Sequence, residues 1–108
     1  MNRHRLAEER SLAYHAVIAE RLRGDPALLD RAQARVRAWL ARGEPTPFYG
    51  REWASVLEQS PTSIAAFLVD RGELACELRQ STPFAGVLSP RERWRIWREV
   101  GERFAEDV

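Results

Sequence analysis

Lysine is missing from this chain altogether: all 17 basic residues are Arg. A GC-rich coding sequence explains such a bias, since Ala is abundant as well. The physical consequence is a surface whose only strong cations are planar guanidinium forks. These hold carboxylates and phosphates bidentately and stack on aromatic rings, which suits interfaces. Cysteine is nearly missing too. A lone Cys76 excludes an internal disulfide and agrees with a reducing compartment. It has no His or other base beside it in sequence, so it reads as a bystander thiol. There is no run of about 18 apolar residues to span a membrane. Met1-Asn2-Arg3-His4-Arg5 leads into a charged helical pattern with no apolar signal region behind it. The expectation is a cytoplasmic bacterial protein.

The apparatus of catalysis is equally scarce. No Gly-rich loop could cradle a phosphate, and no Ser sits in a nucleophile elbow. Ser60 and Ser89 are accounted for as helix caps. His4 and His15 share a helix face, but eleven residues at about 1.5 Å rise hold them roughly 16 Å apart, too far for one metal. His4 and Glu8, four apart, form an ordinary helix-surface pair. Acidic residues are scattered and balanced by Arg, so no paired-carboxylate site is expected. The chain is therefore read as a non-enzyme with no cofactor and no metal.

What is present is helix. At 108 residues the chain fits one domain with a small core, stabilised chiefly by four Trp, four Phe and two Tyr. Its punctuation predicts an all-α, compact bundle of about five to six helices, spanning residues 1–108 as one domain. A first helix runs from about Asn2 to Arg23 and stops at Gly24. Asp25-Pro26 caps a second that ends at Gly43. Glu44-Pro45-Thr46-Pro47 is a stiff connector. A third helix covers about Phe48 to Gln59, and Ser60-Pro61 starts a fourth that reaches about Asp70. Glu73 to Gln80 is a short fifth, Ser81 to Leu88 a loop, and Ser89-Pro90 opens the last, with Glu92 completing a capping box.

Helical spacing sorts the faces. Leu28, Leu29, Ala32, Val36, Trp39 and Leu40 lie within a sector of roughly 120°, a core stripe. In the last helix Trp94, Ile96, Trp97, Val100, Gly101 and Phe104 share one side, read as core-facing. Between Leu12 and Ala19 the first helix is apolar almost all round, so every side must be covered. Either it is a central helix, or one flank receives a partner or a second copy in a homo-oligomer.

Charge is unevenly distributed although it nets to only +1. Residues 1–42 hold nine Arg against five acids, residues 43–89 three against six, and residues 90–108 five against five. Residues 51–70 resemble a helix-turn-helix, and a small DNA-binding transcriptional regulator is the alternative functional reading. It is not favoured: the second helix offers Thr62, Ser63, Ala65, Ala66 and Val69, with no Arg, Asn or Gln to grip base edges, and lies in the acidic third. The residue at the turn's usual Gly position is Glu58.

Two stretches are candidate partner-binding surfaces. Arg31, Arg35 and Arg42 form a stripe bordered by Trp39, either a solvated face or an electropositive rim for an acidic groove. The stretch Arg79 to Trp94 carries Phe84, Val87 and Leu88 between two Pro residues, with Arg79, Arg91 and Arg93 around it. It either plugs the core or forms a preorganised anchor and rim that ends at Trp94. That run, together with Arg37-Ala38-Trp39-Leu40, resembles small helical bacterial proteins encoded beside toxin genes, often of nucleotidyltransferase type. The resemblance implies an antitoxin: a protein that neutralises a toxin partner by stoichiometric binding and occlusion of its active site.

Overall fold

The computed structural model describes residues 2–44 and 46–105. Pro45 of the connector and the acids Glu106 and Asp107 lie outside them. Within the described residues the chain is six helices and no strand: α1 (Arg3–Leu22), α2 (Pro26–Arg42), α3 (Pro47–Leu57), α4 (Pro61–Leu68), α5 (Glu73–Arg79) and α6 (Pro90–Arg103). The all-α reading holds, and the boundaries fall within one or two residues of those predicted, because each is fixed by local chemistry. Pro opens α2, α3, α4 and α6, where its missing N–H costs nothing. Asn2, Asp25, Ser60 and Ser89 accept from the orphan N–H groups that follow them. Both halves of the Ser89–Glu92 capping box form. Gly43 ends α2 at φ 70°, a left-handed turn that glycine enters without the Cβ penalty.

The apolar girdle of α1 is explained by position. This helix packs against α2, α4, α5 and α6. His15, Ile18, Ala19 and Leu22 are buried, Leu12, Ala13, Tyr14 and Val17 are half-buried, and only Ala16 of the girdle is exposed. The central-helix alternative is the one adopted. A 20-residue helix can be covered in a small domain because four short elements wrap it, so its composition gives no ground for a homo-oligomer through this face.

The core closes around Trp53 of α3, which is fully buried. Its ring meets Phe67 and Phe84 edge-on at 5.7 and 6.2 Å. Its Nε1 donates to the carbonyls of Leu78 and Ser81 at 3.1 and 2.9 Å, so the buried indole leaves no polar atom unpaired. From α2, Leu28, Ala32 and Val36 are buried as expected, with Leu29 and Trp39 half-buried beside them. Leu40 departs from the expected stripe and is 43% exposed, leaning on Gly50, where a Cβ would stand 2.9 Å from its Cδ2.

The last helix corrects the sequence reading. α6 packs on α1 alone, so it buries only the narrow stripe of Ile96 and Val100. Trp94 and Trp97, expected on the core side, are 57% and 41% exposed. Helical angles placed them beside the stripe correctly. What they lack is a second neighbouring element to cover them.

Candidate partner-binding surface

The ten expected contact residues divide in three. Arg79 and Phe84 are corrected: both are buried, so neither stands out from the surface as an anchor or rim, and each shows a partner at most an edge in the wall of a hollow. Phe84 plugs the core against Trp53, the structural alternative for this loop. The Arg79 guanidinium donates to the carbonyls of Leu68 and Asp70 at 3.3 and 2.6 Å and to Cys76 Sγ at 3.3 Å. It thereby satisfies orphan acceptors at the end of α4 and clamps α4 to α5. That position is one a charged side chain occupies only when its donors are paired.

The α2 stripe is on the surface, with Arg31, Arg35 and Arg42 all exposed and Trp39 packed against the core. Arg35, however, already uses Nη1 on the carbonyls of Pro83 and Ala85, at 3.3 and 2.7 Å. It acts as a brace holding the 81–88 loop to α2.

The remaining four, Val87, Arg91, Arg93 and Trp94, come together at the start of α6 with residues the sequence reading did not select. Trp94 and Trp97 stack, centroids 5.2 Å apart and planes 10° from parallel. The Arg10 guanidinium lies over the Trp97 ring at 3.7 Å, and its Nε donates to the Trp97 carbonyl at 3.1 Å. Gly101 makes room for it: a Cβ there would stand 2.8 Å from Arg10 Nη2. Arg93 lies over the Tyr14 ring at 5.0 Å. Trp97 was legible in principle, since Trp at i and i+3 interleaved with Arg marks an exposed aromatic face whenever Ile96 and Val100 suffice for the core, whereas Arg10 and Tyr14 join the patch only through the packing of α1 on α6.

Two hollows flank this patch. One, of about 470 Å³, lies between α1, α5 and the 81–88 loop, and has Tyr14, His15, Thr82, Phe84 and Arg93 in its walls. The other is shallower and is walled by Tyr14, Leu88, Pro90, Arg93, Trp94 and Trp97. In the wall of the first, His15 is buried. Its Nδ1 is 2.7 Å from the Ser11 carbonyl, which can only accept, so Nδ1 carries the proton. Nε2 must then accept from the Thr82 hydroxyl at 2.9 Å. Thr82 Oγ1 in turn accepts from the Phe84 N–H at 3.1 Å. Burial drives the imidazole pKa down to about 4, aided by the nearby Arg79 and Arg93 charges and opposed by the Ser11 hydrogen bond. His15 is thus a neutral tie between α1 and the loop.

Other candidates stay apart. His4 sits 3.1 Å from Glu8 in the expected surface pair. Among the described residues no three His, Cys, Asp or Glu side chains converge as a metal would require. Among the described residues no helix is long and apolar enough to cross a membrane. In α4 the exposed positions are Pro61, Thr62, Ser63 and Ala66, with Val69 exposed just beyond it, so the helix-turn-helix segment presents no guanidinium from its second helix. Compared with known proteins, the chain matches no protein-family model, and neither a curated protein nor a solved structure is significantly similar to it.

Proposed function

We propose that this chain is a protein-binding module of the antitoxin kind, acting in the cytoplasm by docking on a toxin and occluding its active site. The observation that carries the binding reading is the exposed, stacked Trp94–Trp97 pair bordered by Arg10, Arg91 and Arg93. Trp, Tyr and Arg dominate binding hot spots because a rigid aromatic buries much area at little entropic cost and a guanidinium pairs bidentately. A monomeric domain seldom leaves two adjacent indoles to water. The resemblance of Arg79–Trp94 to proteins encoded beside toxins supplies the partner class, with a nucleotidyltransferase-like toxin as the leading candidate.

The support is also mechanical. The loop behind the patch is braced by Arg35, tied by Thr82 to His15 and anchored by buried Phe84 and Leu88. Arg21 pairs with Glu92 at the start of α6. A surface held this firmly loses little conformational freedom on docking.

The test is co-expression with the product of the adjacent gene, assayed for toxicity alone and for its neutralisation by this chain. Trp94→Ala/Trp97→Ala is expected to stay folded and to lose neutralisation, with Arg91→Ala/Arg93→Ala showing a partial loss. A folded double-indole variant that still neutralises fully removes this surface from the mechanism.

A further inference from the structure

The two hollows adjoin. Tyr14, Gly86, Leu88 and Arg93 line both of them, so side by side they make a groove that leads from the His15–Thr82 tie, past Arg93, to the indole pair. Its chemistry changes along its length. At the α6 end the walls are apolar and aromatic, formed by Leu88, Pro90, Trp94 and Trp97. At the divide stands the Arg93 cation, with the Tyr14 ring 5.0 Å behind it.

Charge bookkeeping on this face is one-sided. Among the described residues Arg91, Arg93 and Arg95 form no ion pair. Glu92 accepts from Arg21 and from the Ser89 N–H, and Glu102 faces Arg98 at 3.7 Å. Glu8, 3.1 Å from His4, stands in the wall of the first hollow only, and Glu99 lines neither hollow. No acid lines the α6 end of the groove, so an incoming carboxylate at Arg93 meets no competing anion there.

We propose that this groove takes a short acidic and apolar segment of the partner protein, with a carboxylate on Arg93 and the neighbouring apolar side chain in the hollow between Leu88, Pro90 and the indoles. The inference rests on the binding-module reading and adds the chemistry of the occupant. A peptide is favoured over a nucleic acid because α6 interrupts its Arg residues with Glu92, Glu99 and Glu102. A polyphosphate backbone needs several cations in series, whereas a single carboxylate needs one.

The experiment follows the indole N–H signals of Trp94 and Trp97 by nuclear magnetic resonance in the full chain. The probes are acetyl-Glu-Leu-Phe-Glu-amide, acetyl-Lys-Leu-Phe-Lys-amide and a thymidine oligonucleotide. The acidic peptide is expected to move both signals and leave that of buried Trp53 in place, with a Kd in the millimolar range suited to so short a ligand, about 4 kcal/mol. Arg93→Glu, a change at an exposed position, is expected to weaken it at least about tenfold, roughly 1.4 kcal/mol, and to admit the lysine peptide. Equal binding of the two peptides, indifference to Arg93→Glu, or tighter binding of the oligonucleotide overturns the proposal. So do signals that move with protein concentration alone, which would mean that a second copy covers the face. If neither peptide moves the indoles while Trp94→Ala/Trp97→Ala still abolishes toxin neutralisation, the groove chemistry is wrong and the binding surface stands. If the acidic peptide binds as described while the indole variant neutralises fully, the toxin reading fails alone.

Discussion

Acidification between neutral pH and about 5 is expected to weaken this fold through His15. In the native chain its ring is neutral, held between the Ser11 carbonyl and the Thr82 hydroxyl, with a pKa of about 4. Unfolded, it titrates at its ordinary value near 6.5. Because the native pKa is the lower one, the unfolded chain binds the proton first. Stability is complete above pH 6.5 and declines as pH falls towards 4. Full protonation of the unfolded chain corresponds to about 3 kcal/mol, and the portion lost between about pH 7.5 and pH 5 is about 2 kcal/mol. In a domain of this size that is a large share of the total, on the order of 5–15 kcal/mol. Protonation would also oblige Nε2 to donate, leaving the Thr82 hydroxyl to turn away, and would set a cation near Arg79 and Arg93.

The assay is urea unfolding of the wild type and of His15→Gln across that pH range. The glutamine amide can reach Thr82 and does not titrate. All other groups are common to the two proteins, so the difference isolates His15. The wild type should lose about 2 kcal/mol more than the variant on going from pH 7.5 to 5. Parallel stability curves would refute the buried, neutral assignment.

Three further outcomes are expected. Trp53→Phe keeps an aromatic ring but strands the Ser81 carbonyl that Nε1 serves, while the Leu78 carbonyl keeps the Ser81 N–H, costing about 1–3 kcal/mol by chemical denaturation. Arg79→Leu removes the clamp on Leu68 and Asp70 and should cost about 2–3 kcal/mol, whereas Arg91→Ala at the exposed start of α6 should stay within about 0.5 kcal/mol. Gly101→Ala gains about 1 kcal/mol of helix propensity but displaces Arg10 from Trp97, losing about 0.5–1 kcal/mol. Its melting temperature should hardly move, while the Trp97 indole signal shifts.

Much of the architecture was legible because the signals are local. Four Pro-opened helices, the side-chain caps at Asn2, Asp25, Ser60 and Ser89, and Gly43 each act within one turn of chain. Helix limits could be read from them without knowing what packs where. The candidate site was only half legible. Arg91, Arg93 and Trp94 were singled out and are exposed, but so were Arg79 and Phe84, which are buried. An Arg beside a loop looks the same in sequence whether its donors face solvent or the carbonyl ends of α4.

The same division runs through the whole molecule. By itself the sequence determined the number, limits and caps of the helices, the apolar sector of α2, and the absence of a disulfide or a Lys-based site. Those properties depend on residue identity and on spacing along one helix. Tertiary structure alone decided that α1 is wrapped by four helices and α6 touched by one. Burial depends on how many elements surround a helix, and that number is set by segments far away in the chain. That count is why the apolar girdle of α1 disappears from the surface, and why Trp94 and Trp97 remain on it.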